Sequence, residues 1–142
     1  MKKIFAFALT IGALFPIAAT SATNLTRVRV FSVASAKAGA ESINSGASST
    51  SRDHGGGWMT ITTEEIGFGK NMQATLLGFS LRQIRSEALC NVGGQAKPCI
   101  GRGAIVGYRR TWDAGGREGG NFRYTIFPKE YGQPVQMTFT VR

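Results

Sequence analysis

VQMTFTVR, residues 135–142, alternates apolar and polar side chains without a break. Successive side chains of a β-strand point to opposite faces, so this period of two predicts a strand with one buried and one solvated face. The predicted buried face carries Val135, Met137, Phe139 and Val141. This is the clearest strand pattern in the chain, and it favours a fold built from β-strands.

Strand composition also occurs upstream, at residues 25–33, 58–63, 104–112 and 122–127. The loop 113–121 contains four glycines, which tolerate positive φ, and we therefore expect the strands on either side of it to form a hairpin. Residues 72–84 fit both a strand and a helical stripe; we expect a strand to about Leu81 and one or two helical turns at 83–89. The predicted fold class is all-β, mainly an antiparallel β-sandwich or small barrel with little helix.

The first 22 residues have the organisation of a secretory signal peptide. Lys2 and Lys3 form a basic start, residues 4–19 are uncharged and mostly apolar, and residues 20–22 are small and fit a cleavage site. The apolar run is shorter than the roughly 20 residues that a helix needs to span a bilayer. We therefore expect residues 1–22 to be removed on export, leaving 23–142 as one secreted or periplasmic β domain without a transmembrane segment. Within it, residues 34–57 are rich in Ala, Ser and Gly and are expected to form a loop region.

The chain is strongly basic, with 17 Lys and Arg against 8 Asp and Glu and a formal net charge of +9. Without Lys2 and Lys3 the charge is +7, which attracts anionic surfaces through long-range electrostatics. This predicts an anionic component of the cell envelope, or another protein, as the partner; nucleic acid is a further anionic partner without specific support. The basic residues are scattered, so a solvated surface without a polyanion site explains the charge equally well.

The chain has two cysteines and one histidine, and these numbers exclude several kinds of site. Cys90 and Cys99 are an even pair in a chain expected to be exported, so we predict that they form a disulfide. A zinc site normally draws on several His or Cys side chains, and His54 stands alone. We therefore expect no metal and no cofactor.

A metal-free hydrolase, for example a secreted ribonuclease or an antibacterial toxin, is one hypothesis that the residue types allow. His54 with Glu64 or Glu65 would form the acid/base pair, and Arg109 or its neighbour Arg110 would neutralise the charge of the transition state. Nothing in the spacing of these residues requires this arrangement, and a small basic domain contains them by chance.

The hypothesis that we favour is a binding protein that is not an enzyme. Connecting loops on a rigid β scaffold commonly carry binding residues, and the two glycine-rich loops around His54 and at 113–121 are the candidates. Aromatic side chains beside arginine also bind sugars, peptides or bases by stacking. Such residues are more often in the core, and the strand pattern already places Trp112 and Tyr108 there. The candidate binding residues are Asp53, His54, Trp58, Trp112, Asp113 and Arg117.

Several short motifs resemble those of a known family. They are DHGG at 53–56, TEEIGFG at 63–69, VGY at 106–108 and WDAGG at 112–116, together with the signal-peptide pattern. This combination resembles the small secreted bacterial family typified by the Bacillus YolA protein. The resemblance implies a secreted protein of unknown function, and it supplies no catalytic residues. The cysteine pair and the segment 34–57 depart from the family pattern.

Overall fold

Antiparallel β-strands make up most of residues 24–142, the part of the chain that the computed structural model describes. The predicted signal peptide lies outside these residues. No helix occurs between residues 24 and 142, and the prediction of an all-β fold is confirmed. The strands are β1 (Arg27–Ser35), β2 (Gly39–Ser42), β3 (Met59–Ile66), β4 (Gly69–Leu76), β5 (Phe79–Ser80), β6 (Arg82–Val92), β7 (Gln95–Pro98), β8 (Ile105–Asp113), β9 (Gly120–Pro128) and β10 (Val135–Val141).

The strands form two sheets that enclose the hydrophobic core. The first sheet is curled and has the order β2-β1-β3-β8-β6-β7, and the second has the order β10-β9-β4-β5. Phe122, Tyr124 and Ile126 on β9 are fully buried, as the period of two predicts. Trp112 on β8 meets Tyr124 edge to face, with ring centroids 5.6 Å apart, and so joins the two sheets. The buried core comprises Val30, Val33, Ile43, Met59, Ile61, Ala74, Leu76, Trp112, Ala114, Phe122, Tyr124, Ile126, Phe139 and Val141.

Three predictions of local structure are wrong. The strand expected to continue to about Leu81 ends at Leu76, where a turn leads into β5, which folds back on β4. The helical turns expected at 83–89 are part of the long strand β6, which pairs with β8 from Arg82 to Cys90. The hairpin expected around loop 113–121 does not form, because β8 pairs with β3 and β6 whereas β9 pairs with β4 and β10. The loop instead crosses from one sheet to the other.

The Ala/Ser/Gly-rich segment 34–57 is largely irregular, as expected, but it also contains β2, which pairs with β1. Its second half lies along β10: the Thr50 backbone N–H donates to the Thr140 carbonyl at 3.0 Å, and the Thr140 N–H donates to the Ser48 carbonyl at 2.9 Å. These bonds fasten a segment with few apolar side chains to the second sheet.

The predicted disulfide between Cys90 and Cys99 is present and closes the β6–β7 hairpin. We expect the Cys90→Ala/Cys99→Ala double variant to lose roughly 2 to 3 kcal/mol of unfolding free energy, because the bond restricts the unfolded chain across a short loop. Urea denaturation with and without reductant measures this loss. Reductant should lower the midpoint of the wild type and leave the double variant unchanged; an unchanged wild-type midpoint would contradict the prediction.

Candidate functional site

Two glycine-rich loops that are distant in sequence meet at one end of the sandwich. The Gly116 backbone N–H donates to the Gly56 carbonyl at 3.0 Å, and the Ala114 N–H donates to the Met59 carbonyl at 2.9 Å. Gly116 has φ of 73°, which lets the loop turn towards its partner. We call the combined surface of residues 53–58 and 113–120 the glycine-loop pole. The sequence predicted both loops as binding elements but gave no sign that they touch.

An ion-pair bridge also connects the two loops. Lys37 Nζ lies 2.7 Å from an Asp53 carboxylate oxygen and 3.8 Å from one of Glu118. The interaction with Asp53 raises the pKa of Lys37. Asp53, a predicted binding residue, is therefore exposed but already paired within the chain.

The glycine-loop pole presents aromatic and charged side chains to solvent. Trp58 is 53% exposed and lies beside Gly115, and Arg117 stacks over the half-exposed ring of Phe79 at 4.5 Å from its centroid. Asp113 accepts hydrogen bonds from the Gly115 N–H at 3.1 Å and from Arg82 at 3.4 Å, and these bonds hold the pKa of its carboxyl below the usual value. An indole, a guanidinium stacked on a phenyl ring and a carboxylate are thus available at one end of the molecule.

His54, predicted both as a catalytic and as a binding residue, is completely buried beneath this pole. Its Nδ1 lies 3.0 Å from Ser35 Oγ and its Nε2 lies 3.0 Å from Glu41 Oε2. The order Ser, His, carboxylate is that of a hydrolytic triad. Ser35 is fully buried as well, so no substrate reaches its hydroxyl in this structure.

Glu41 is the centre of this buried network. Besides His54, its carboxylate accepts hydrogen bonds from the Ser51 backbone N–H at 2.7 Å, the Ser51 hydroxyl at 2.8 Å and the Arg52 N–H at 3.0 Å. Burial alone would raise the pKa of Glu41, but the bonds from Ser51, His54 and Arg52 outweigh it and lower the pKa to about 2. The network therefore pins the loop 43–57 onto β1 and β2.

Glu64 and Arg109, two of the predicted catalytic residues, are in direct contact. They are cross-strand neighbours on β3 and β8, and Nε and Nη2 of Arg109 donate to Glu64 Oε2 at 3.0 and 2.9 Å. Glu64 Oε1 accepts from Arg29 Nε at 2.9 Å and from Arg27 Nη2 at 3.3 Å. Only 2% of the Glu64 side chain is exposed, although it points away from the second sheet. We call Glu64 with Arg27, Arg29 and Arg109 the Glu64 cluster.

These contacts make Glu64 unsuitable as a general base. Burial would raise its pKa, but the hydrogen bonds and charges of Arg29 and Arg109 lower it below the usual value. A general base for reaction at neutral pH works best with a pKa near 7 and a free lone pair directed at the substrate. Both oxygens of Glu64 are instead occupied by guanidinium groups.

Glu65 points to the opposite face of β3, into the space between the sheets. Its Oε1 accepts from Arg110 Nε at 2.9 Å, and its Oε2 accepts from the Tyr124 hydroxyl, also at 2.9 Å. Close packing of β8 on β3 supports this arrangement, since a Cβ at Gly107 would collide with the Glu65 carbonyl oxygen. Glu65 is therefore a core residue bound to a core tyrosine.

The structure does not bring His54 together with either glutamate. His54 bonds to Ser35 at the end of β1, whereas Glu64 lies opposite Arg29, six residues earlier on the same strand. Six extended residues span roughly 20 Å, too far for one scissile bond to contact both groups. The hypothetical acid/base pair is not assembled.

Comparison with known protein families adds one identification to this geometry. A family model described as Domain of unknown function (DUF4879) matches residues 17–137. The chain belongs to the DUF4879 family. No protein of curated function and no solved structure matches this DUF4879 chain. The family assignment fixes the relationship without adding an activity.

Two features of this DUF4879 chain bear on membranes and metals. Between residues 24 and 142 there is no helix both long and apolar enough to cross a bilayer. In the same part of the chain, no group of three or more His, Cys, Asp or Glu side chains is placed to hold a metal ion.

Two predicted binding residues, His54 and Trp112, are not at the surface, and several site residues were missed. Trp112 is 3% exposed and belongs to the core, so it cannot offer its ring to a ligand. Glu41 was missed because it stands in a segment without a recognisable motif. Arg27 and Arg29 were given no role, although their spacing of two places both on one face of the predicted strand 25–33, which was a usable signal.

Proposed function

We propose that the protein is exported and acts by binding a glycan component of the cell envelope through the glycine-loop pole. Export is supported by the signal-peptide pattern, by the resemblance to the secreted family typified by the Bacillus YolA protein, and by a disulfide, which is compatible with a periplasmic or extracellular location. The positive charge of the chain favours accumulation near anionic envelope polymers.

The exposed indole of Trp58 on a fixed loop is the observation that carries this proposal. An aromatic side chain left half in water gives up hydrophobic free energy that burial would provide. The backbone on either side of Trp58 is held to the loop 113–120, because the Gly56 and Met59 carbonyls accept hydrogen bonds from it. The indole ring is therefore presented on a rigid surface. The apolar faces of the sugar rings in a glycan stack on aromatic side chains such as that of Trp58. The nearby Asp113 and Arg117 supply hydrogen-bonding groups for the sugar hydroxyls.

Binding agrees with the geometry better than hydrolysis does. The carboxylates of Glu64 and Glu65 are saturated by arginine and tyrosine donors, and the hydroxyl of Ser35 is buried with His54. A catalytic constellation requires a nucleophile or base within hydrogen-bond reach of a bound substrate. The exposed groups at the pole offer contacts for a ligand and no such constellation.

We expect Trp58→Ala to weaken binding to soluble envelope glycan fragments by about tenfold or more, because truncating a central aromatic anchor removes much of an interface's binding energy. Tryptophan fluorescence gives a direct measurement: Trp112 is buried and Trp58 is exposed, so quenching or a blue shift on glycan addition reports on the pole. Isothermal titration calorimetry supplies the affinity of the variant that lacks this signal.

Tyr131→Ala is the matched control, since Tyr131 is a fully exposed aromatic residue in the β9–β10 connection, away from the pole. It should bind as the wild type does. Equal affinities of the wild type and Trp58→Ala, or an equal loss in Tyr131→Ala, would refute the proposal. Cleavage of RNA or DNA by the wild type in chelator would restore the hydrolase hypothesis.

A further inference from the structure

The outer face of the first sheet carries a row of alternating charge that the glycine-loop pole does not use. Arg29, Glu64, Arg109 and Glu87 are direct neighbours across β1, β3, β8 and β6. Glu64 lies five residues along β3 from Met59, the residue next to the pole, a distance of roughly 17 Å. Glu64 and its arginines are therefore separate from the site of the proposed function, and the nearer residues of this face, such as Thr111 two positions from Asp113, belong to the outer side of the sheet and not to the glycine-loop pole.

The guanidinium groups of the Glu64 cluster are held in place before any ligand arrives. Glu64 fixes all three, and the ring of Phe31 supports two of them, with Cζ of Arg109 at 3.6 Å and Cζ of Arg29 at 5.3 Å from its centroid. Side-chain exposure remains 52% for Arg27, 25% for Arg29 and 18% for Arg109. Fixed guanidinium groups lose little conformational entropy when they bind an anion.

These groups retain most of their capacity to donate hydrogen bonds. In the described part of the chain, the three guanidinium groups donate four hydrogen bonds to Glu64 and one to the Ile43 carbonyl. Three guanidinium groups have about fifteen N–H donors between them. Glu64 thus orders the three guanidinium groups and still leaves most of their N–H groups available to a ligand.

A cavity of about 170 Å³ opens beside the cluster and is rich in hydrogen-bonding groups. Its wall is formed by Arg109, Arg85 and the carboxylate of Glu87, together with Phe31 and the hydroxyl-bearing residues Ser32, Thr62 and Thr111. The Thr62 and Thr111 hydroxyls lie 3.3 Å apart, and Arg85 is paired with Glu87 at 3.2 Å. On this face Arg27, Arg29, Arg85 and Arg109 outnumber Glu64 and Glu87 by two, and in the lining of the cavity itself Arg85 and Arg109 stand against Glu87, a net charge of +1.

We infer that this cavity is a binding site for a dianionic phosphate group, held by Arg85 and Arg109 and the neighbouring hydroxyls. The excess of positive charge on this face attracts an anion, and guanidinium groups pair with phosphate oxygens through two parallel hydrogen bonds. Glu64 already binds one edge of the Arg109 guanidinium, and Glu87 pairs with Arg85, so the ligand takes the remaining N–H groups of these two arginines.

The test measures binding of inorganic phosphate, glycerol phosphate and acetate to the purified protein by calorimetry at constant ionic strength. We expect both phosphates to bind and Arg85→Gln to weaken them by about tenfold or more, through the loss of a charge-assisted contact. Arg82→Gln is the matched control, because Arg82 lies on the same strand, is 80% exposed in its side chain and pairs with Asp113 instead. It should bind phosphate as the wild type does.

Each outcome decides the inference. Tighter binding of glycerol phosphate than of inorganic phosphate supports the site and identifies an esterified phosphate as its ligand, whereas equal binding supports the site with free phosphate as its ligand. No binding of either phosphate, acetate binding as strong as phosphate binding, or an equal loss in Arg85→Gln and Arg82→Gln would overturn it. Arg109→Lys keeps the positive charge but loses the planar guanidinium that donates two parallel hydrogen bonds. It should therefore also weaken phosphate binding. Failure of glycan binding at Trp58 leaves this result unaffected, since the two sites share no residue.

Discussion

Replacing Glu65 with leucine is expected to lower the free energy of unfolding by about 3 to 5 kcal/mol. The substitution removes the carboxylate that accepts hydrogen bonds from Arg110 and Tyr124, and only 11% of the Arg110 side chain is exposed. The guanidinium of Arg110 would remain buried without its counter-charge. It would have lost its hydration without an ion pair to compensate for that loss. Urea or thermal denaturation of the purified variant measures the loss.

A second substitution separates this explanation from general damage to the core. In the double variant Glu65→Leu/Arg110→Met both charges are gone, and we expect most of the lost stability to return, because an apolar pair of similar volume often replaces a buried ion pair without cost. Tyr124→Phe removes one hydroxyl only and should cost about 1 to 2 kcal/mol. If the double variant were no more stable than Glu65→Leu, packing and not the unpaired charge would be responsible.

The exposed glutamate Glu118 supplies the control for surface charge. Its side chain is 74% exposed and lies 3.8 Å from Lys37. Glu118→Gln should change stability little, because solvent screens an exposed ion pair.

The sequence alone was sufficient to predict the strands whose own residues alternate between apolar and polar side chains. Residues 135–141 and 122–127 alternate because one face of each strand is buried, and Phe139, Phe122 and Tyr124 are in the core as expected. Residues 83–89 were misassigned because a strand takes its backbone hydrogen bonds from a partner that is distant in sequence. Ile84 and Leu77, which suggested a helical stripe, are about half exposed, and β8 decides the conformation.

The candidate sites were predictable only as single residues. Glu64, Arg109 and Arg29 lie far apart in the chain, and they meet because β1, β3 and β8 are neighbours in one particular register. A shift by one residue would move Glu64 into the core and Glu65 out of it. Local patterns do not specify that register. The same reasoning explains why the sequence suggested Glu64 or Glu65 as the partner of His54, whereas the folded chain places Glu41 beside it.

Replacing Glu41 with glutamine is expected to cost about 3 kcal/mol at pH 7 and to remove part of the acid sensitivity of the protein. The amide of glutamine has a single acceptor oxygen and directs N–H donors at a site lined by the donors of Ser51, Arg52 and His54. Because the loop 43–57 is held through this carboxylate, the variant should also open locally there, which hydrogen exchange of residues 50–54 measures.

The pH dependence follows from the pKa of Glu41, which folding lowers from 4.5 to about 2. Between these values the unfolded state binds the proton and the folded state does not, so the contribution of Glu41 is complete above pH 4.5 and disappears as the pH falls towards 2. The pKa of Glu64 is also lowered, so the stability of both the wild type and Glu41→Gln still decreases as the pH falls. Denaturation midpoints from pH 7 to pH 2 should therefore fall less steeply for Glu41→Gln than for the wild type or Glu118→Gln. Parallel profiles for all three proteins would show that the carboxylate of Glu41 is not the acid-sensitive group that holds the loop.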